Sequence, residues 1–426
     1  MKKLFKDYFS VIFGTGFSRG ISFVTMLMLV RVLTVEGFGK FSMFFTVMML
    51  VWQLPGSIDA VYVRYAKAGA EAERFAYLRT AFIMKVWAFV FVCAASYPFG
   101  WFLSVHVFCK PELTGLVSMA IFSGGFLSVF STLSGMYQAQ EKFLIYSIIN
   151  SVFYSLVFFS VGWFFVKKII LTPFDAALMF SIVAVVVGMG AALYLSREMK
   201  LLVAVSRVHF RNMFNFGKWL FAETLLYVVL QRLDILFLAR FADYHQIAVY
   251  SAAVRIAMVA SIMTSAATAI FMPRGCASLR SPQHLRTYFR DAAVVTTGLT
   301  AMIIALIAAV PALIGHLFGA DYAQGMTAAR ILLIEAVFIL LYTPFSFIFY
   351  ASGKTQRIFA VGVIRMSVMI AGLSVMVPRF GSTGAALAIA ASTFTGLIFA
   401  VVMSMKILMS ADHGREHSRG KAGQGQ

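Results

Sequence analysis

About twelve stretches of this chain are long and apolar enough to cross a lipid bilayer, and that repetition limits its fold more than any single residue does. Roughly 20 helical residues span about 30 Å of hydrocarbon. Inside that layer every backbone N–H and C=O must find a partner within the chain, which an α-helix supplies. The expected spans are 8–30, 41–63, 81–108, 113–135, 146–166, 175–195, 215–239, 247–271, 292–315, 330–350, 358–378 and 383–408. Charged residues make up 12% of the chain, where soluble domains carry about 25%, so the expected class is all-α, multi-pass and membrane-integral. Lys2, Lys3 and Lys6 precede a full-length span without a small-residue cleavage site, which argues against a cleaved signal peptide.

Basic residues between spans stay on the cytoplasmic side when helices insert. With both termini inside, 23 of the 36 Lys and Arg fall on that side, 8 on the other and 5 within spans. The +19 net charge is then a topology signal and a match to anionic lipid headgroups, not a nucleic-acid surface. Cys93, Cys109 and Cys276 form no Cys-x-x-Cys, and the seven histidines are scattered, so no metal is expected.

The sequence carries an internal duplication. Leu29-Val-Arg31 through Phe41-Ser42 lies over Leu238-Ala-Arg240 through Tyr250-Ser251 at an offset of 209, and Tyr137-Gln-Ala139 through Lys142 over Phe349-Tyr-Ala351 through Lys354 at 212. Six spans per half is an even number, so the halves are expected to be parallel repeats, two six-helix lobes about a central cleft. The lobes are placed at 1–196 and 215–410, joined by a cytoplasmic linker at 197–214 and followed by a disordered basic tail at 411–426.

Arg19, Lys85, Arg232, Arg255 and Arg365 lie inside spans, where a charge is costly unless paired or hydrated. Four acids, Asp59, Glu223, Asp234 and Glu335, lie there too. On a continuous seventh span, Glu223, Tyr227, Gln231 and Asp234 share a stripe about 80° wide, with Arg232 nearly opposite. These charges either bind substrate and a coupling ion or neutralise one another, Glu223 with Arg365 and Asp234 with Arg255. Lys85 and Asp59, close to the expected boundary, are read as snorkelling. Arg19, set among Gly14, Gly16, Ser18, Gly20 and Ser22, has no acid at matching depth and is the foremost candidate for an anionic ligand.

The run Leu29 to Ser42 resembles the first-to-second helix connection of polysaccharide-unit flippases of the multidrug/oligosaccharidyl-lipid/polysaccharide exporter superfamily. Val249-Tyr-Ser-Ala-Ala-Val-Arg255 resembles that family's eighth helix, and Phe271-Met-Pro273 its end. Leu317-Phe-Gly-Ala-Asp-Tyr322 with Ala328-Ala-Arg-Ile-Leu332 resembles the ninth-to-tenth connection, and Gly384-Ala-Ala-Leu-Ala388 the start of the last helix. The resemblance implies a transporter, not an enzyme, moving undecaprenyl-pyrophosphate-linked oligosaccharide units between leaflets of a bacterial inner membrane by alternating access. It also implies ion coupling, and partners among membrane lipids, a polysaccharide polymerase and glycosyltransferases. Arg19, Arg255, Arg365 and Arg232 would meet the diphosphate, and Glu223, Asp234, Glu335 and Asp59 would couple an ion or pair with the arginines. Lipid II flippases of the superfamily carry two further helices, which sets the twelve expected spans apart from them. A drug or cation antiporter of the same superfamily and a membrane-embedded sugar polymerase or ligase stay open as alternatives. No G-x-x-x-x-G-K-[ST] loop occurs, so no nucleotide or other cofactor is expected.

The charge bias makes a direct prediction. Alkaline phosphatase, which needs the oxidising periplasm to form its disulfides, should be inactive when fused after Arg419 and active when fused after Lys168. The opposite pattern in colony assays would invert the topology.

Overall fold

The computed structural model describes residues 2–68, 71–198, 207–278, 282–352 and 355–422, and among them there is helix and no strand. The helices are α1 (Lys2–Val32), α2 (Val35–Gln53), α3 (Gly56–Ala68), α4 (Glu71–Phe102), α5 (Thr114–Ala139), α6 (Phe143–Val166), α7 (Pro173–Glu198), α8 (Arg207–Leu230), α9 (Leu233–Phe241), α10 (Tyr244–Ser278), α11 (Pro282–Leu313), α12 (Gly325–Ala351) and α13 (Thr355–Ala422). Each of the expected spans falls on helix.

Three departures from the expected spans have physical causes. The second span is divided between α2 and α3 at Leu54–Pro55, where Pro55 has no N–H for the ladder and its carbonyl instead accepts from Ile58 N at 3.0 Å. The seventh is divided at Gln231–Arg232 into α8 and α9, which removes the basis for the expected stripe, since the 100° rule holds only along one unbroken helix. The last two spans join in α13, which bends at Gly381 (φ 53°, ψ −127°), in a backbone region that glycine enters without a Cβ penalty. The described helix runs on from the last span to Ala422.

The duplication is visible in backbone geometry. α4 carries Pro98, runs into a π-helical turn at Leu103–Val107, passes Cys109 at φ 54° and enters a 3-10 turn at Pro111–Leu113. α11 carries Pro311, runs into a π-helical turn at Ile314–Phe318, passes Gly319 at φ 102° and enters a 3-10 turn at Ala320–Tyr322. Both π turns close the same way, Phe108 N on Leu103 O at 2.8 Å and Gly319 N on Ile314 O at 3.0 Å.

The chain divides into two compact units, Met1–Ala248 and Val249–Gln426. α8 and α9, which the repeat assigns to the second half, pack within the first unit: Met213 joins the core formed by Val61, Tyr62, Leu78, Phe82 and Leu195. Of the expected linker, residues 199–206 lie outside the described ones. In lipid, helices associate through close packing and not through water exclusion. Accordingly, an added Cβ on Gly124 of α5 would lie 2.8 Å from Met48 O of α2, and Phe180 of α7 meets Phe41, Phe44 and Phe45 edge-on.

Also within the first unit, the α9–α10 corner is held by cations. Lys110 Nζ donates to the last carbonyls of α9, Ala239 O at 2.9 Å and Ala242 O at 2.5 Å, the end of a helix that favours positive charge. Lys110 and Lys40 both lie over the Tyr244 ring, 4.7 and 4.8 Å from its centre, and the Tyr244 hydroxyl donates to Glu112. Burial lowers the Lys110 pKa, against the pull of Glu112 and Asp243.

The same corner requires glycine at position 39, where a Cβ would stand 2.1 Å from Tyr244 O. Backbone cannot yield as a side-chain tip can, so Gly39→Ala should exceed the usual overpacking penalty of about 1–3 kcal/mol. Fluorescence of a carboxyl-terminal fusion should show strongly reduced accumulation, while Gly20→Ala, with no atom within 4 Å of its Cβ, should accumulate normally.

Candidate functional site

Three sets of charge lie inside the first unit. Arg19 sits on α1, which packs against α6 through Ser18 Oγ and Ser151 Oγ at 2.8 Å. One residue further round, Arg19 is half-buried, and no described residue pairs with its guanidinium. A Cβ on Gly16 or on Gly20 would meet nothing within 4 Å, so the helix face beside Arg19 is open.

Lys85 of α4 and Asp59 of α3 form the second set, and they correct the expectation of snorkelling. Lys85 is 0% exposed and donates to Asp59 Oδ2 at 2.5 Å, Ser131 Oγ at 2.6 Å and Ser128 O at 2.9 Å. An ammonium has three protons, and all three are used. Reaching the boundary would break these bonds, whereas turning inward finds a carboxylate and two α5 acceptors at one depth. Asp59 Oδ1 is buried without a hydrogen bond, beside Gly135, where a Cβ would lie 3.6 Å from it.

The third set is at the break between α8 and α9. Arg232 occupies the N-cap position of α9, with its Nε buried and without a hydrogen bond. Asp234 is 6% exposed and accepts from Ile235 N at 2.8 Å in the first turn of α9, the end where the helix dipole favours an anion. The side chains of Glu223 and Tyr227 lie outside the described residues.

In the second unit Arg365 and Glu335 are joined through a residue that charge scanning passes over. Arg365 Nη2 donates to Thr393 Oγ1 at 2.9 Å, and Thr393 Oγ1 donates to Glu335 Oε1 at 2.8 Å. The guanidinium also faces the Tyr342 ring at 5.8 Å. Its aliphatic stem crosses Gly396, where a Cβ would come within 2.5 Å of Arg365 Cδ, so the glycine makes room for the arginine. Arg365 Nε remains buried without a partner. Arg255 on α10 is half-buried and donates to Met258 Sδ at 3.4 Å, among other contacts.

The repeat sharpens this picture. At the 212 offset, Glu335, Thr393 and Arg365 correspond to Ser123, Ser181 and Phe153. Ser123 Oγ donates to Ser181 Oγ at 2.7 Å, so the same helix-to-helix link exists in both halves. The first half makes it with neutral hydroxyls beside a buried phenylalanine; the second makes it with a carboxylate and an arginine.

A family profile described as polysaccharide biosynthesis protein matches residues 4–274, and the MatE profile matches 220–376. No curated protein matches the chain. Among solved structures, the lipid II flippase MurJ in an inward closed conformation superposes with a TM-score of 0.76 at 14% identity, covering 92% of this chain and 86% of that one. An inward-facing multidrug resistance MATE family transporter of the MOP superfamily gives 0.72 at 13% identity, covering 93% and 96%. A MOP superfamily transporter from Pyrococcus furiosus, described by the reverse polarity of its binding pocket, gives 0.61 at 14% identity, covering 96% of each. These likenesses establish that the chain has the all-helical membrane fold of these transporters.

The Lys85–Asp59 pair makes a prediction. Removing one partner of a buried pair strands the other and costs about 3–5 kcal/mol, whereas removing both can be close to neutral. Lys85→Met and Asp59→Asn should each lower the amount of folded protein in detergent, and the double variant should regain most of it. Additive losses in fluorescence-detected size exclusion would rule out the pairing.

Proposed function

We propose that this chain, which belongs to the polysaccharide biosynthesis protein family, is a flippase for polyprenyl-diphosphate-linked oligosaccharide repeat units. It would carry them from the cytoplasmic to the periplasmic leaflet of a bacterial inner membrane. The observation that carries this reading is Arg19, a half-buried cation with no described partner on an open, glycine-flanked helix face. An arginine kept in an apolar helix without a structural counter-charge has a reason to be there if an anion visits it. Its planar donor fork suits two oxygens of a phosphate.

A diphosphate bearing sugars cannot enter hydrocarbon alone, so the carrier must replace its water with donors and counter-charge. Arg365, with one donor on Thr393 and Nε unsatisfied, has capacity to spare for such a group. Arg255 and Arg232 are further cations at membrane depth. Among the acids, Asp59 is paired with Lys85, and Asp234 accepts from Ile235 N among other contacts. Glu335 is the better candidate for the coupling ion, because its link to Arg365 through Thr393 offers competing states: the carboxylate ionised while Arg365 has no ligand, protonated when the arginine turns to phosphate. Translocation breaks no covalent bond. Glycosyltransferases would build the cargo and a polymerase would consume it.

The MatE match over 220–376 favours a second reading, export of drugs or organic cations. Arg19 separates the two. A charge-assisted hydrogen bond is worth about 1.5–3 kcal/mol, about 10- to 100-fold in affinity. In a strain lacking the chromosomal copy, Arg19→Ala should accumulate normally and reduce surface polysaccharide at least about tenfold, and Arg19→Lys should restore part of it. Full polymer with Arg19→Ala at normal abundance would refute the role of Arg19. Dye resistance that depends on the protein while polymer does not would favour the exporter.

A further inference from the structure

The face of α8 not turned to the core carries a pattern that transport of a cargo does not explain. Arg207, Phe210, Arg211, Phe214, Lys218 and Phe221 fall within an arc of about 100° at 100° per residue. All six are exposed, and the rings of Phe210 and Phe214 lie parallel, 7° apart in plane with centres 6.2 Å apart. No acidic residue occurs from Arg207 through Ala222. The stripe is thus cationic and aromatic together.

Under its inner end lies a cavity of about 340 Å³, lined by Ile58 and Val61 of α3, Met84 of α4, and Met213, Phe214 and Phe221 of α8. Among the described residues, the exposed Lys218 is the one charged residue in its wall. Gly217 borders the cavity, and a Cβ there would touch only Val61 Cγ2, at 3.5 Å, so a larger side chain would extend into the open space. An apolar cavity of about 150 Å³ excludes water and accepts a hydrocarbon guest. A larger one within a bilayer has hydrocarbon chains as its solvent.

We infer that this cavity and stripe form a binding site for an anionic phospholipid, with an acyl chain in the cavity and its phosphate on Lys218 and Arg211. Basic pockets between membrane helices hold acidic headgroups, and a lysine stem lies along apolar surface while its ammonium reaches the headgroup layer. Charge complementarity selects the anionic lipid. Zwitterionic lipids could fill the cavity but would bring no net charge to three cations. The site is independent of the proposed cargo, because none of its residues belongs to the intramembrane charge sets.

Native mass spectrometry of the full chain in detergent tests this with phosphatidylglycerol, phosphatidylcholine and undecaprenyl phosphate. Phosphatidylglycerol should be retained about tenfold over phosphatidylcholine, and Arg211→Gln/Lys218→Gln should bring the two level. Gly217→Leu, which fills the cavity, should lower retention of both lipids several-fold, while Gly217→Ala should leave it unchanged with the same thermal stability. Equal retention of the two phospholipids by the unaltered chain would overturn the inference, as would full retention by Gly217→Leu. Undecaprenyl phosphate displacing phosphatidylglycerol at equal concentration would also overturn it, and would make the occupant the polyprenyl carrier.

Discussion

A peptide group or charge that enters hydrocarbon without a partner loses several kcal/mol of hydration, and this cost governs both the regular and the irregular parts of the molecule. Helices meet it for the backbone. Where the helix breaks, substitutes occur close by: Pro55 O accepts from Ile58 N, Asp234 accepts from Ile235 N, and Lys110 takes the last carbonyls of α9. The π turns after α4 and α11 serve the same end, bending the chain out of a long helix while its amides remain bonded.

Side-chain charges obey the same rule with different means. Lys85 spends all its protons on Asp59, Ser131 and Ser128. Arg365 reaches a carboxylate through a hydroxyl, and places its stem where Gly396 leaves space. Arg19 stands apart, with open glycine faces beside it and no described counter-charge. Lys85 is thereby fully paired within its unit, whereas Arg365 keeps an unsatisfied Nε and Arg19 has no described partner.

The helices were legible in the sequence because length and hydropathy decide them without reference to neighbours. The interruption at Gln231–Arg232 was not, since no proline or glycine marks it and the run Leu225 to Leu238 is as apolar as its neighbours. The stripe expected along it presupposed one unbroken helix, which α8 and α9 do not form. The charged residues were also legible, but not their partners. Counting depth from helix ends put Lys85 and Asp59 at the boundary, whereas tertiary contacts 26 and 46 residues apart hold the lysine inside. Ser128, Ser131, Thr393 and Gly396 carry no signal of their own; each matters through the charged chain it touches.

The duplicated framework gives these differences a direction. The turns at Leu103–Val107 and Ile314–Phe318 repeat a backbone solution, as do the links Ser123–Ser181 and Glu335–Thr393. At that common link the first half keeps two hydroxyls and buried Phe153, a stable arrangement with nothing to titrate. Packing alone therefore does not require charge at this place in the fold. The second half holds an acid and a base there, with one guanidinium nitrogen unsatisfied, and accepts the desolvation that the first half avoids. A charge set placed at a point where its own duplicate is neutral is the arrangement expected if Arg365 and Glu335 act on the proposed cargo and its coupling ion, since packing alone is met there without charge.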